Sequence, residues 1–266
     1  MSRVWWWLAI FMCFPKLALA QEANSELKSI NLCAGIHEWP PYYYFERLDG
    51  VKTEIVKGLD IELFDEVFIK NGISYTVTLL SWSKCLAEVI RGTKFDAVFG
   101  GGLNEDRREN YLTTKGYYSV VPSYFHKKKT FPEGIDAKSS TDFASIGHLC
   151  GVKGFNYVNF GLKNEKIDMG SENYERLILK TLFDRCHISF VRYEILAGWS
   201  KLLNMNFIHN DELIFTPINN VPKETFHLMI SKNFKHRHEL KKLFEAEVEK
   251  LKHTDKFKWL NVDAHL

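Results

Sequence analysis

Residues 95–118 bring together residue types that could bind a small anion. An apolar run at residues 97–99 predicts a buried strand, and it ends in three consecutive glycines at 100–102. Glycine lets a ligand approach main-chain N–H groups, and five residues later the guanidinium of Arg107 offers a planar fork to a carboxylate. The alternative is a flexible glycine turn beside two solvated arginines, Arg107 and Arg108. The elements that position this stretch decide between the two.

A regular order of strands and helices leads up to the glycines. Apolar periodicity and glycines at helix ends predict, in alternation, three strands and two helices at residues 30–36, 59–70, 73–80, 83–90 and 95–99. This β-α-β-α-β order predicts a parallel sheet with right-handed crossovers. Residues 37–45, HEWPPYYYF, contain two prolines and predict an aromatic loop at the carboxyl end of the first strand.

A second α/β unit follows residue 120. Its predicted strands lie at residues 123–126, 148–153, 167–169, 186–193, 213–218 and 226–230, and its helices at 141–145, 171–183, 194–203 and 237–252. Two consecutive units predict an α/β fold of two lobes with a cleft between them, each lobe a mainly parallel sheet flanked by helices.

The first 20 residues have the pattern of a secretory signal peptide. Arg3 supplies a positive charge, residues 4–14 are an uncharged apolar run, and Ala18 and Ala20 provide a cleavage site of small residues. The apolar run is shorter than the roughly 20 residues that cross a bilayer, which argues against the alternative of a membrane anchor. We therefore expect residues 1–20 to be removed on export to the periplasm.

The charge balance argues against a nucleic-acid partner. The chain has 35 basic and 33 acidic residues, and removal of residues 1–20 takes away Arg3 and Lys16 and no acid. The remaining chain then has no formal net charge, whereas nucleic-acid-binding surfaces are basic.

Four cysteines follow the predicted cleavage site: Cys33, Cys85, Cys150 and Cys186. Export permits disulfide bonds, and the lack of a C-x-x-C pair argues against a zinc site. Three pairings are possible. Order along the chain favours Cys33–Cys85 and Cys150–Cys186, one bond within each half, and four free buried thiols are the alternative.

Seven short motifs occur along residues 39–188. They are WPPY at 39–42, KGLDIELF at 57–64, SW at 81–82, FDAV at 95–98, NEDR at 104–107 with GYY at 116–118, GVKG at 151–154 and RCHI at 185–188. In this order they resemble the bacterial extracellular solute-binding proteins of the polar amino-acid type (family 3), the periplasmic components of ABC importers. The resemblance covers nearly all of the chain after the signal peptide.

The resemblance implies a type II periplasmic binding protein fold. In that fold two α/β lobes, joined by two crossing strands, close over a solute. Lobe 1 would comprise residues 30–119 with a return segment at 225–266, and lobe 2 residues 120–224. Tyr117 and Tyr118 would begin the first crossing.

The resemblance also implies which residues contact the solute. Arg107 matches an arginine that binds the solute carboxylate, and Trp39 matches an aromatic residue that stacks on the solute. Trp82 lies in a segment that often lines the cleft, and the glycines offer main-chain N–H groups. The implied ligand-binding residues are Trp39, Tyr42, Trp82, Gly100, Gly101, Gly102, Arg107, Phe155, Asn156 and His187.

His187 departs from the family pattern, which has an aspartate there that binds the α-ammonium of the solute. A neutral imidazole cannot replace that carboxylate, and a protonated one repels an ammonium. Loss of one partner of a buried charge pair costs about 3–5 kcal/mol. An acid without an amine therefore fits better than a free α-amino acid, unless Glu194 supplies the negative charge. The alternative for Glu194 is a solvated residue favoured by the helix dipole.

These features favour a periplasmic protein that captures a small, carboxylate-bearing solute for an inner-membrane ABC permease. One alternative is a periplasmic sensor that acts with a histidine kinase or another partner. Another is an enzyme similar to cyclohexadienyl dehydratase, with His37, Glu38 or His187 as acid or base. The chain has no G-x-S-x-G, H-E-x-x-H or P-loop motif. We therefore expect a monomeric binding protein without enzymatic activity, metal or cofactor.

Overall fold

The computed structural model describes residues 27–137 and 139–260, so the predicted signal peptide at residues 1–20 lies outside the described residues. The strands are β1 Ser29–Gly35, β2 Tyr44–Leu48, β3 Val51–Lys57, β4 Ser74–Leu80, β5 Ala97–Gly102, β6 Tyr111–Thr113, β7 Tyr118–Val120, β8 Pro122–Lys127, β9 Leu149–Val152, β10 Asp168–Ser171, β11 Ile188–Arg192, β12 Leu213–Pro217 and β13 Glu224–Ser231. The α-helices are α1 Leu59–Val67, α2 Trp82–Arg91, α3 Glu105–Asn110, α4 Phe143–Ile146, α5 Tyr174–Leu182, α6 Tyr193–Leu203 and α7 Arg237–Leu251. Across these two ranges, no helix has both the length and the apolar character needed to cross a membrane.

Two sheets flanked by helices form two lobes, and the predicted α/β fold is confirmed. The first sheet has the strand order β4-β1-β5-β13-β6, with β7 also paired to β13, and the second has the order β10-β9-β11-β8-β12. The strands of the β-α-β units run parallel, but β13 runs antiparallel to β5, β6 and β7, and β8 runs antiparallel to β11 and β12. Both sheets are therefore mixed rather than mainly parallel, because strands next to the crossings run antiparallel to their neighbours.

The chain crosses between the two sheets twice. It leaves the first sheet after β7, enters the second at β8, and returns from β12 to β13. Between the lobes, β7 pairs with the start of β13, and Tyr118 lies opposite Phe226 and Val120 opposite Glu224. The lobe limits 30–119 with 225–266 and 120–224 stay a prediction. Helix α7 packs back on lobe 1, with the Phe244 ring 5.4 Å from that of Tyr117.

A hairpin that the sequence analysis did not predict, β2–β3, follows the aromatic loop. Its strands are mostly exposed or half-buried, so they lack the alternation of apolar residues that marks a strand with one buried face. The hairpin ends at Gly58, and the main-chain N–H groups of Leu59 and Asp60 then donate to the carbonyls of Pro41 and Tyr42 (3.0 and 2.8 Å). The start of α1 therefore holds the aromatic loop in place.

Two disulfide bonds, Cys33–Cys85 and Cys150–Cys186, brace the lobes. The first joins β1 to α2, and the second joins β9 to the residue two positions before β11. The pairing that chain order favours is thus the one in the structure.

Replacing either cysteine pair by alanine should destabilise the oxidised protein. Cys33 and Cys85 are 52 positions apart and Cys150 and Cys186 are 36 apart. Closing loops of this length lowers the entropy of the unfolded chain, so each double variant should lose about 2–4 kcal/mol of unfolding free energy. Urea denaturation of both double variants measures this loss, with the reduced wild type as control. A double variant as stable as the oxidised wild type would contradict the expectation.

Asp60, in the first turn of α1, is a buried acid in the core of lobe 1. Its surroundings are tyrosines, and burial raises the pKa of Asp60 well above its usual range, an effect that the neighbouring Tyr117 hydroxyl only partly offsets. Such a carboxyl is costly to ionise in the folded protein.

The variant Asp60→Asn should gain stability over the wild type as the pH rises. In the unfolded chain Asp60 ionises near a pKa of about 3.9. Between that pH and the raised folded pKa, the unfolded state releases a proton that the folded state keeps, so wild-type stability falls with rising pH. Asparagine removes this loss. Urea denaturation between pH 4 and pH 8 tests it, with the exposed Glu62→Gln in the same helix as control. A constant difference between Asp60→Asn and wild type would contradict it.

Candidate functional site

A cavity of about 160 Å³ lies between the lobes. It is smaller than the roughly 300–1,000 Å³ of sites for drug-sized ligands, so its size suits a small solute. Lobe 1 and the crossing strands contribute one wall, and the turn after β9 and the end of β11 contribute the other. The lining residues are Gly35, His37, Trp39, Tyr43, Trp82, Gly100, Gly101, Gly102, Arg107, Gly154, Phe155, Asn156, Asn159, Arg192, Glu224 and Phe226.

The loop after β1 places Trp39 where the two lobes meet. The main-chain N–H of Trp39 donates to the Tyr43 carbonyl (2.7 Å), and that of Tyr43 donates back to Trp39 (3.1 Å), around a turn with a cis Pro40–Pro41 peptide bond. The Trp39 ring lies edge-on to Phe155 of lobe 2 (5.4 Å) and 5.6 Å from Phe226 on β13. The predicted aromatic loop therefore forms part of the cleft wall.

The three glycines continue strand β5 instead of forming a turn, and Gly101 and Gly102 pair with His227 and Phe226 of β13. Their lack of a side chain permits close packing. A Cβ on Gly100 would lie 2.7 Å from the Tyr43 ring, and one on Gly101 would lie 2.9 Å from the Trp82 ring. The glycines thus bring aromatic rings close to the main chain at the base of the cleft.

Arg107 lies in the cleft at the start of the short helix α3. The Asn104 side chain caps this helix by accepting from the Arg107 main-chain N–H (2.8 Å). The guanidinium donates through Nη1 to the Gly102 carbonyl and lies 5.2 Å from the Trp82 ring centroid. Burial lowers its pKa, with opposing effects from Tyr111, Glu224 and Asp106, but an arginine keeps its charge. Within the described ranges no carboxylate forms an ion pair with it.

Arg192 and Glu224 form a buried ion pair on the lobe 2 side of the cleft. Arg192 ends β11 and Glu224 begins β13, and their side chains are 4% and 6% exposed. Arg192 Nε donates to Glu224 Oε2 (2.5 Å), and Asn159 Nδ2 donates to Glu224 Oε1 (2.8 Å). Burial alone would lower the pKa of Arg192, but the Glu224 carboxylate raises it above its ordinary value. Arg192 therefore stays charged.

Most of the predicted ligand-binding residues line the cleft. They are Trp39, Trp82, Gly100, Gly101, Gly102, Arg107, Phe155 and Asn156.

Asn156, however, is used largely within lobe 2. Its carbonyl accepts from Arg192 Nη2 (2.8 Å), and its Oδ1 accepts from the main-chain N–H of Val158 and from Asn164 Nδ2 (both 3.1 Å). Asn156 thus shapes the turn that carries Phe155.

Tyr42 and His187 lie outside the cleft, which corrects the predicted site at two positions. Tyr42 is 1% exposed and stacks on Tyr118 with 3.7 Å between ring centroids, and its neighbour Tyr43 faces the cleft instead. His187 is exposed just before β11, and its Nδ1 accepts from the His148 main-chain N–H (2.9 Å). Ligands of α/β sheets bind at the carboxyl ends of strands, and β11 reaches the cleft with its last residue, Arg192.

Two other acids considered from the sequence, Glu38 and Glu194, do not line the cavity. The Glu38 carboxylate accepts from Arg47 Nη1 and from the Phe45 main-chain N–H (both 2.8 Å); burial opposes its ionisation, yet these bonds keep its pKa below the ordinary value. Glu194 accepts from the Val121 main-chain N–H (2.8 Å) and so ties α6 to the crossing segment.

The sequence analysis did not predict that Arg192 and Glu224 line the cleft. For Arg192 the sequence did contain a signal. Arg192 lies near the end of the predicted strand at 186–193, and residues in that position face ligands in α/β sheets. Glu224 carries no comparable local signal, because its partner is 32 positions away and its place depends on the return crossing.

Solved structures with the same fold bind amino acids. An ABC uptake transporter substrate-binding protein from Streptococcus pneumoniae with bound histidine has a TM-score of 0.64 and 18% identity, covering 87% of this chain and 90% of its own. The arginine-, lysine-, histidine-binding protein of Geobacillus stearothermophilus has a TM-score of 0.63 and 16% identity, with coverage of 87% and 95%. An ancestral amino acid-binding protein, a precursor of cyclohexadienyl dehydratase, has a TM-score of 0.63 and 15% identity, with coverage of 87% and 93%.

These likenesses establish the architecture. The chain has the two-lobed fold of amino-acid ABC transporter substrate-binding proteins. No protein-family model matches the sequence, and no curated protein does. At these identities the comparison shows the fold, and the solute has to be argued from the cleft itself.

Gly100→Ala should destabilise the protein more than Gly50→Ala. Both glycines have a positive φ (69° and 80°), so alanine strains the backbone similarly at each. At Gly100 the new methyl group also meets the Tyr43 ring, whereas nothing lies within 4 Å at Gly50. The extra loss from this overpacking should be about 1–3 kcal/mol. Thermal unfolding of both variants measures it, and equal losses would contradict the packing role of Gly100.

Proposed function

We propose that the protein is a periplasmic solute-binding protein that captures a small, carboxylate-bearing solute between its lobes. The observation that carries this proposal is Arg107. Its guanidinium lies in an interlobe cavity, held by Trp82 and the Gly102 carbonyl, and no described carboxylate pairs with it. A half-buried, charged donor without an anionic partner among the described residues is a suitable binding group for a carboxylate.

The remaining walls suit the body of such a solute. Five of the lining side chains are aromatic: Trp39, Tyr43, Trp82, Phe155 and Phe226. They come from lobe 1, from the crossing strand β13 and from lobe 2. Aromatic walls remove apolar surface from water and add ring contacts, so lobe closure over a solute with an apolar portion is favoured.

The fold and the signal-peptide pattern of residues 1–20 support binding of the solute in the periplasm. The structural neighbours are described as substrate-binding proteins of ABC transporters, and the first 20 residues have the features of a secretory signal. We therefore propose release of the solute to an inner-membrane ABC permease as the step that follows capture.

We also propose that the protein binds its solute without converting it. Among the described cavity-lining residues, Glu224 is the one carboxylate, and Arg192 and Asn159 hold both of its oxygens. The Glu224 oxygens are directed at Arg192 and Asn159, whereas a general base has to reach a proton on the solute. Glu224 does not offer this arrangement, although the dehydratase precursor shares the fold.

The variant Arg107→Ala should lose solute binding while Arg108→Ala keeps it. Charge-assisted hydrogen bonds to a carboxylate contribute about 1.5–3 kcal/mol, so Kd should rise about 10- to 100-fold in Arg107→Ala. Arg108 is the exposed neighbour on the same helix and serves as the matched control. Thermal-shift titration with a panel of small monocarboxylates and amino acids identifies ligands, and calorimetry gives Kd. Equal stabilisation of wild type and Arg107→Ala by the same carboxylates would overturn the role of Arg107.

A further inference from the structure

Among its described residues, the cleft has one unpaired positive charge, Arg107, and no unpaired negative charge. We propose that the solute is a small monocarboxylic acid that lacks an α-ammonium group and carries an apolar or aromatic body. This inference rests on the proposed function and specifies its substrate class. It differs from the amino acids bound by the structural neighbours.

The first support is that Glu224 already forms an ion pair with Arg192. Its two oxygens accept from Arg192 and Asn159, and the ion pair is almost fully buried. Arg192 is held firmly: it also donates to the Asn156 carbonyl, and its guanidinium lies 4.8 Å from the Phe160 ring centroid. A solute ammonium at Glu224 would therefore lie beside the buried Arg192 cation, and the repulsion between the two like charges is unfavourable.

The second support is that the other charged groups nearby offer no substitute. Besides Arg192 and Glu224, the charged or titratable groups lining the described cavity are Arg107, His37 and the Tyr43 hydroxyl. Burial raises the pKa of Tyr43, which keeps it neutral. His37 is exposed at the rim and bears no negative charge in either protonation state. The acids Glu38 and Glu194 are bonded elsewhere.

The third support comes from the aromatic faces. A cation can also be stabilised over an indole ring. Both tryptophans of the cleft already have a guanidinium nearby, Arg192 at 5.3 Å from the Trp39 centroid and Arg107 at 5.2 Å from the Trp82 centroid. An ammonium added there would lie next to a like charge. The cleft therefore favours a solute whose only charge is the carboxylate bound by Arg107.

The test compares acids with the amino acids from which they differ only by the α-ammonium. The pairs are propanoate with L-alanine, 3-phenylpropanoate with L-phenylalanine, and 4-methylpentanoate with L-leucine. Calorimetry and thermal shift on the oxidised mature protein should show that, for the pair whose side chain fits best, the acid binds at least about tenfold more tightly. If the amino acid binds equally or better, this inference is overturned while the proposed function stands. If no member of any pair binds at millimolar concentration, the proposed function fails, and this inference fails with it.

The variant Arg192→Met tests the cause of the preference. It leaves the Glu224 carboxylate without its cation, so the affinity ratio of acid to amino acid should fall by about tenfold or more. Arg185→Met, an exposed arginine of the same lobe, is the matched control and should keep the wild-type ratio. An unchanged ratio in Arg192→Met would overturn the assignment of the preference to this ion pair. The wild-type comparison decides the inference alone if Arg192→Met does not fold.

Discussion

The buried ion pair between Arg192 and Glu224 is the interaction on which the cleft depends. It joins the last residue of β11 in lobe 2 to the first residue of the returning strand β13. Removing one partner of such a pair leaves a buried charge and costs about 3–5 kcal/mol. Because Arg192 also binds the Asn156 carbonyl and Glu224 also binds Asn159, the pair fixes the lobe 2 turn that carries Phe155 into the cleft. The same contacts pair Glu224, the one carboxylate among the described residues that line the cleft, with a cation of the protein itself.

A continuous series of aromatic rings connects the cores of the two lobes across this region. Tyr42 stacks on Tyr118, which stacks on Phe226 of the other crossing strand (4.8 Å), and Phe226 contacts Trp39, which contacts Phe155 of lobe 2. Tyr42 is therefore a structural residue that packs against the crossing strand β7 through Tyr118. Trp39, three rings further along, lies where this series reaches the cavity. Sequence proximity made Tyr42 and Trp39 look equivalent, whereas the turn at the cis Pro40–Pro41 bond separates core from cleft.

Patterns within short stretches of sequence predicted the helices and strands and part of the cleft. The β-α-β units follow from apolar periodicity and glycine helix ends. The position of Arg107 in the cleft could be predicted because the strand, the glycines and the arginine lie within one short stretch of sequence. The hairpin β2–β3 escaped because its side chains are largely exposed. Glu224 escaped because its position is set by a crossing strand and by a partner distant in sequence. His187 was misassigned because a short motif was matched at the start of β11, while the end of that strand reaches the cleft. The sequence predicted that the glycines expose main-chain N–H groups. In the structure, their lack of side chains lets the Tyr43 and Trp82 rings pack close to the main chain.

The division of charge between the lobes has a consequence for closure. Lobe 1 supplies Arg107 with Trp82 and the glycine strand, whereas lobe 2 supplies Phe155 and Arg192, which is already paired with Glu224 of β13. In the proposed binding mode, a carboxylate binds to lobe 1 through charge-assisted hydrogen bonds before the lobes meet. What lobe 2 then adds is mainly burial of apolar surface, which contributes about 25 cal/mol per Å². In this proposal, affinity for the carboxylate and the free energy of lobe closure have different sources, and the apolar body of the solute determines how strongly closure is favoured.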